Sequence, residues 1–341
     1  MNALETTATR LVADGKGILA ADESNGTMTK RLEAVGATST PDTRRRFREL
    51  LVTTPGACHA ISGVILYDET IRQSGSDGTP FPQLLDRLGM IPGIKVDTGV
   101  KPLAGADGES VTEGLDGLRE RLAEYRSRGA RFAKWRAVLA IGEATPSRYC
   151  IAANAHALAR YAALSQEAGI VPIVEPEVLM DGDHTIDRSA QVTEETLRAV
   201  FAELLDQRVL LEGIVLKPNM VLAGYRCPQQ PSVQEVAQNT LAVLRRAVPA
   251  AVPGIAFLSG GQSDELASAH LSAINAAGDA PWELSFSYGR ALQAAPLKAW
   301  AGREANAREA QAAFEHRARC NVQARHGRYS PKLEHAHTLA A

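Results

Sequence analysis

The sequence predicts an α/β fold: a single closed (β/α)8 barrel of the TIM type, carrying a C-terminal helix and a mobile tail. Three observations lead there. Eight short runs rich in Val, Ile and Leu recur at residues 17–22, 61–68, 93–97, 132–136, 171–177, 213–217, 256–259 and 284–287. Stretches with apolar residues at three- and four-residue spacing lie between or after them, at 42–53, 115–128, 147–168, 194–207, 233–247, 264–277 and 297–319, the period of an amphipathic helix. The 341 residues hold no low-complexity linker and no Gly-x-Gly-x-x-Gly after the first run. One barrel is therefore favoured over an open, dinucleotide-binding sheet.

The runs are apolar on both faces, as in a parallel sheet covered by helices, but most end in charge. Asp22 closes the first run. After the second, residues 71–92 are rich in Gly, Pro and Ser and read as a loop. The third carries Lys95 and Asp97, the fourth Lys134 and Arg136, the fifth Glu175 and Glu177, and the sixth Lys217 with Pro218 behind it. Three of these sets are spaced i and i+2, so both members point to one side of their strand. The seventh and eighth runs end in Leu258-Ser259-Gly260-Gly261-Gln262-Ser263 and Ser285-Phe286-Ser287-Tyr288-Gly289-Arg290. The catalytic domain is expected to span 1–331, and 332–341, without periodicity, to be a flexible tail.

Composition narrows the function. With 37 Lys+Arg and 39 Asp+Glu the net charge is −2, which argues against a surface that binds nucleic acid by neutralising phosphates. The hydrophobic fraction of 45% suits a large core and excludes a disordered chain. Cys58, Cys150, Cys227 and Cys320 stand 77 or more residues apart, a spacing that suggests neither zinc nor disulfides but reduced cytosolic thiols. No signal-peptide core and no run of 18 apolar residues occurs. A cytoplasmic protein with no membrane contact is the expectation.

A lone lysine in a strand is usually solvated, but charges at the carboxyl ends of five strands converge on the face where such barrels keep their active sites. Burial and a neighbouring cation both lower a lysine's pKa, whereas at the ordinary value of about 10.4 only a few molecules in ten thousand carry a free amine at pH 7. Lys134 could be that neighbour for Lys217, making it a nucleophile toward a carbonyl, with Glu175 and Glu177 as proton carriers. The glycine-rich loops at Ser259 to Gly261 and Ser287 to Arg290 resemble the phosphate-binding loops that follow strands seven and eight of many barrels. Arg31, Lys95 and Arg136 form a second basic group for a further anion. Asp181-Gly182-Asp183-His184 lacks the remaining ligands of a calcium loop and reads as a turn; His335 and His337 read as solvated tail residues.

These segments resemble the class I (Schiff-base) fructose-bisphosphate aldolases, in order and over nearly the whole chain. The likeness rests on Gly15-Lys16-Gly17-Ile18-Leu19-Ala20-Ala21-Asp22-Glu23-Ser24, Gly93-Ile94-Lys95-Val96-Asp97, Phe132-Ala133-Lys134-Trp135-Arg136, Val174-Glu175-Pro176-Glu177, Leu216-Lys217-Pro218-Asn219-Met220 and the two glycine loops. It implies that Lys217 forms the imine, Asp22 is the base near the C4 hydroxyl and Glu175 moves protons in carbinolamine dehydration. By the same likeness Lys134 and Glu177 shape the charge around the imine. Ser259, Gly260, Gly289 and Arg290, with Gly261 and Ser287 beside them, would hold one phosphate, and Ser24, Arg31 and Lys95 the other. No metal or cofactor is implied, and a homo-oligomer, a tetramer before other states, is.

The expected reaction is reversible cleavage of fructose 1,6-bisphosphate, in glycolysis and gluconeogenesis. Another phosphorylated ketose such as fructose 1-phosphate, or a non-catalytic barrel acting as a scaffold, are the alternatives. The chain departs from the pattern at Thr27, where many relatives carry Ser, and at its end, Thr338-Leu339-Ala340-Ala341, where the best-studied relatives have a tyrosine associated with proton exchange. Tyr329 belongs to an earlier segment, so water or Glu175 is left to carry the C3 proton.

Overall fold

The computed structural model describes residues 2–335. In chain order the strands are β1 (Gly17–Ala21), β2 (Ile61–Leu66), β3 (Ile91–Lys95), β4 (Gly99–Pro102), β5 (Ser110–Glu113), β6 (Phe132–Leu139), β7 (Val171–Val178), β8 (Val215–Leu216), β9 (Gly254–Phe257) and β10 (Glu283–Tyr288). All but β4 and β5 pair in parallel and close into one barrel, ordered β1-β10-β9-β8-β7-β6-β3-β2. The eight expected runs are the eight barrel strands. Helices separate most of them, as a parallel sheet requires.

The barrel interior is divided by chemistry along its axis. Ile18, Ile65, Ile91, Phe132, Ile173 and Val215 fill one end and pack against Ala8, Leu11 and Val12. Those last three belong to or directly follow the helix Ala3–Leu11, which lies across the amino ends of the strands. This helix was not expected from the sequence; its capping box, Asn2 accepting from Glu5 N–H and Glu5 reaching back to Asn2 N–H, was the available signal. Side-chain alternation then carries each inner face upward from apolar to charged residues, Phe132 to Lys134 on β6 and Ile173 to Glu175 on β7.

Several boundaries differ from the sequence reading. Residues 71–92 are not simply a loop: Phe81–Arg87 is a helix with Pro82 in its first turn, where proline costs no hydrogen bond, and β3 begins at Ile91. The expected helix 297–319 is two, Arg290–Trp300 and Ala307–Arg325, separated where Ala301 and Gly302 turn left-handed at φ 47° and 74°. The helix read at 194–207 begins earlier, as Ile186–Asp206, capped by Thr185. The helix Asn25–Ala34 and the antiparallel β4–β5 pair were not anticipated. β8 is only two residues long, because Pro218 after Lys217 has no N–H to extend the ladder.

The start of the expected tail is ordered as a 3-10 turn, Pro331–His335. Glu334 is held there by Arg317 Nη1 at 2.5 Å and by the Tyr329 hydroxyl at 2.7 Å. His335 is exposed; His337 and the chain end lie outside the described residues. All four cysteines are free thiols.

Gly93 of β3 stands against the ring of Phe132, which a Cβ would overlap. Gly93→Ala should therefore destabilise the barrel by about 1–3 kcal/mol through overpacking, read as a lower urea midpoint; an unchanged midpoint would show that the ring can give way.

Candidate active site

Lys134 occupies the centre of the charged end. Its Nζ lies 2.8 Å from Asp22 Oδ2, at the end of β1, and 3.1 Å from Glu175 Oε2, on β7. The other Glu175 oxygen, Oε1, is 3.1 Å from Lys217 Nζ. Glu175 thus stands between two lysines, and both lysines and the carboxylate are buried. Lys134 is thus the cation nearest to Lys217 across one carboxylate that bridges the two ammonium groups, and Asp22 takes a further share of the Lys134 charge.

Local structure fixes these side chains. On β6, Trp135 points away from the barrel centre and stacks on Tyr161 with centroids 5.6 Å apart, while the Tyr161 hydroxyl donates to Ile173 O at 3.2 Å. Lys134 on the same strand therefore has its inward direction set from outside. Lys217 N–H donates to Val174 O at 2.8 Å. Beyond Pro218, Asn219 accepts from Val178 N–H at 3.0 Å and donates to Thr193 Oγ1 at 3.2 Å, fastening the strand end that carries Lys217.

Burial opposes every charge in the cluster, so the sign of each shift shows whether pairing wins. Burial alone would raise the Asp22 pKa, but Lys134 and Lys217 bring it down to about 2. Glu175 is likewise lowered against its own burial by Lys134, Lys217 and Arg136. Burial would lower Lys134, and Asp22 and Glu175 outweigh it, holding the ammonium well above the ordinary lysine range. Glu177 does not join the lysines; it is ion-paired with Arg136 Nε.

Two anion-receptive regions flank the cluster. In one, Gly260 and Gly261 adopt φ of 59° and 97°, and a Cβ on Gly261 would stand 2.7 Å from Arg290 Nη2, so glycine lets backbone and guanidinium share the space. Tyr225 braces this turn by donating from its hydroxyl to Gly260 O at 2.9 Å. Ser287 Oγ is buried there without a hydrogen-bond partner among the described residues. In the other, Ser24 caps the helix Asn25–Ala34 by accepting from Thr27 N–H. Lys95 pairs with Asp97 at 3.1 Å, and Arg31 with Glu23 at 2.5 Å.

One cavity of about 580 Å³ joins all of this. Asp22, Ser24, Arg31, Lys95, Lys134, Arg136, Glu175, Glu177 and Lys217 line it, together with Ser259, Gly260, Gly261, Ser287, Gly289 and Arg290. Glu23, Thr27, Asp181 and Tyr225 also line it and were not among the candidates. Thr27 was signalled by its capping distance from Ser24, whereas Tyr225 reaches the mouth through a loop whose course no local pattern reveals. Where a turn was expected at 181–184, Gly182 and Asp183 form a bend in an irregular segment. Among the described residues one group of possible metal ligands, His316, Cys320 and Glu334, gathers within 4.8 Å, and none of the three lines the mouth.

The sequence model described as fructose-bisphosphate aldolase class-I matches residues 3–340. The chain belongs to the class I fructose-bisphosphate aldolases. Within this family it is 59% identical over 297 residues to a probable fructose-bisphosphate aldolase class 1 of Xanthomonas campestris, covering 87% of this chain and 89% of the relative. It is 53% identical over 329 residues to fructose-bisphosphate aldolase B of Gallus gallus, covering 96% and 90%. A solved fructose-bisphosphate aldolase from Plasmodium falciparum, in complex with TRAP and a small-molecule inhibitor, superposes with a TM-score of 0.95 at 49% identity over 96% of this chain and 95% of that one.

The lowered pKa of Asp22 links this aldolase's stability to pH. A drop from 3.8 to about 2 corresponds to about 2 kcal/mol, present in full above pH ~4 and lost as pH falls toward 2. Asp22→Asn should consequently lower the denaturation midpoint most above pH 4, with the gap to wild type closing near pH 2. A gap independent of pH would contradict this linkage.

Proposed function

We propose that the chain cleaves fructose 1,6-bisphosphate reversibly to dihydroxyacetone phosphate and glyceraldehyde 3-phosphate through a Schiff base on Lys217. The observation that carries this reading is the Glu175 carboxylate suspended between two buried lysines at the mouth of the barrel. A lysine attacks a carbonyl only as the free amine, and Glu175 Oε1, 3.1 Å away, is placed to take its proton. Lys134 stays charged throughout, balancing Glu175 when it is ionised and polarising the carbonyl oxygen as it becomes a carbinolamine hydroxyl. Glu175 then returns its proton to that hydroxyl, which leaves as water.

The resulting iminium accepts the electron pair of the breaking C3–C4 bond. Asp22 takes the C4 hydroxyl proton. With a pKa of about 2 it is a weak base, but the hydroxyl becomes strongly acidic as its carbon turns into an aldehyde, so transfer keeps pace with bond cleavage. The enamine left on Lys217 is protonated at C3 by water or by Glu175, and hydrolysis frees dihydroxyacetone phosphate. The 1-phosphate fits the Gly260, Gly261 and Arg290 region, and the 6-phosphate fits Ser24, Lys95 and Arg31. Since the iminium withdraws the electrons, the scheme needs no metal. A homo-oligomer, with a tetramer as the expected state, in the cytoplasm completes the proposal; no described helix is long and apolar enough to cross a membrane.

Borohydride added with dihydroxyacetone phosphate should trap one adduct, on Lys217, and abolish activity, while excess EDTA leaves activity intact; an adduct on another residue would overturn the assignment. Glu175→Gln should lower kcat about 10²–10⁴-fold with a smaller change in KM, measured by coupled assay. Lys134→Met removes the cation that depresses Glu175 most, so the acidic limb of the kcat/KM profile should move to higher pH; a limb that stays in place would detach Lys134 from the proton carrier.

A further inference from the structure

The Arg31–Glu23 pair places a carboxylate in the part of the cavity proposed for the second phosphate. Arg31 Nη1 stands 2.5 Å from Glu23 Oε1, with the arginine 29% and the glutamate 7% exposed. The two partners are not equally free to move. Glu23 Oε1 also accepts from Gln293 Nε2 at 2.7 Å, and Gln293, itself buried, donates to Ala20 O at 2.6 Å. Arg48, wholly buried, donates from Nη2 to Glu23 O at 2.8 Å. Glu23 Oε2 is buried, makes no hydrogen bond among the described residues, and lies 4.0 Å from that same Arg48 nitrogen. Glu23 is thus fixed from behind and faces a cation on each side, whereas Arg31 is held by its tip alone.

We propose that Glu23 is a specificity-determining residue that substitutes for the substrate's second phosphate and so sets how far the enzyme discriminates a ketose bisphosphate from a ketose 1-phosphate. A bisphosphate draws Arg31 away from Glu23, and the released carboxylate remains compensated by Arg48 across the 4.0 Å gap. With a 1-phosphate, Arg31 stays on Glu23, and no half-buried cation is left without a counter-charge. The carboxylate therefore competes with the second phosphate and excuses its absence. Both effects narrow the affinity difference between the two substrates.

This inference rests on the proposed aldolase reaction and separates from it in one experiment. kcat/KM for fructose 1,6-bisphosphate and for fructose 1-phosphate is measured on the full chain for wild type, Glu23→Gln and Glu23→Asp, with a thermal melt of each. Glu23→Gln removes the competing charge, so the bisphosphate to monophosphate ratio should rise at least about threefold. Glu23→Asp keeps a charge beside Arg48 but withdraws from Arg31, and should raise the ratio less; it decides the matter if the glutamine variant does not fold. A purely structural Glu23 would depress both substrates in proportion, and an unchanged or lower ratio overturns the proposal while leaving the reaction standing. Failure of the wild type to cleave either ketose overturns both.

Discussion

The buried charged side chains at the mouth of this barrel answer to one constraint: a charge taken from water must meet its opposite at short range. Glu175 satisfies it for two lysines at once, with one carboxylate oxygen given to each. Asp22 supplies the second negative charge, so the four groups are neutral together. Around them the same solution repeats in Arg136 with Glu177, Lys95 with Asp97 and Arg31 with Glu23. Arg290 differs: it is exposed and has no ion-pair partner among the described residues. A centre so balanced holds its geometry before substrate arrives, and little reorganisation remains for the reacting state.

The same pairing is compatible with the proposal that a chain of net charge −2 receives two phosphates. The basic groups are not surplus charge on a surface. Apart from Arg290, they are counter-charged groups at the rim of a cavity, so that at Arg31, Lys95 and Arg136 an incoming anion exchanges partners with a carboxylate.

Much of this was legible in the sequence because barrel strands are buried on both faces. A Lys or Glu inside an apolar run then stands out, and i, i+2 spacing tells which side it faces; Lys134, Glu175 and Lys217 were visible in that way. What escaped depended on contacts between distant segments. Glu23 reads as an ordinary neighbour of Asp22 until Gln293 and Arg48, some 270 and 25 residues away, are seen to grip it. Tyr225 meets Gly260 across 35 residues. The break at Ala301 was hidden because an alanine beside Gly302 adopts a conformation that its own propensity opposes. Glu175 as a bridge could not be read either, since spacing along strands fixes the side a residue faces and not the distance to its neighbour across the barrel.

The helix Ala3–Leu11 seals the end of the barrel opposite the reactive lysines. Among the described residues that end is filled by apolar side chains, and the cavity opens at the other. In the proposed reaction, the water expelled on imine formation and the water that later releases the product would pass the same opening as the phosphates. In the proposed reaction a bound sugar acts as its own stopper: with both phosphates seated the proposed covalent intermediate would be shielded from hydrolysis, and departure of the aldehyde half would unblock the route for the molecule that frees the other half. The order of events is thus imposed by plumbing as well as by chemistry.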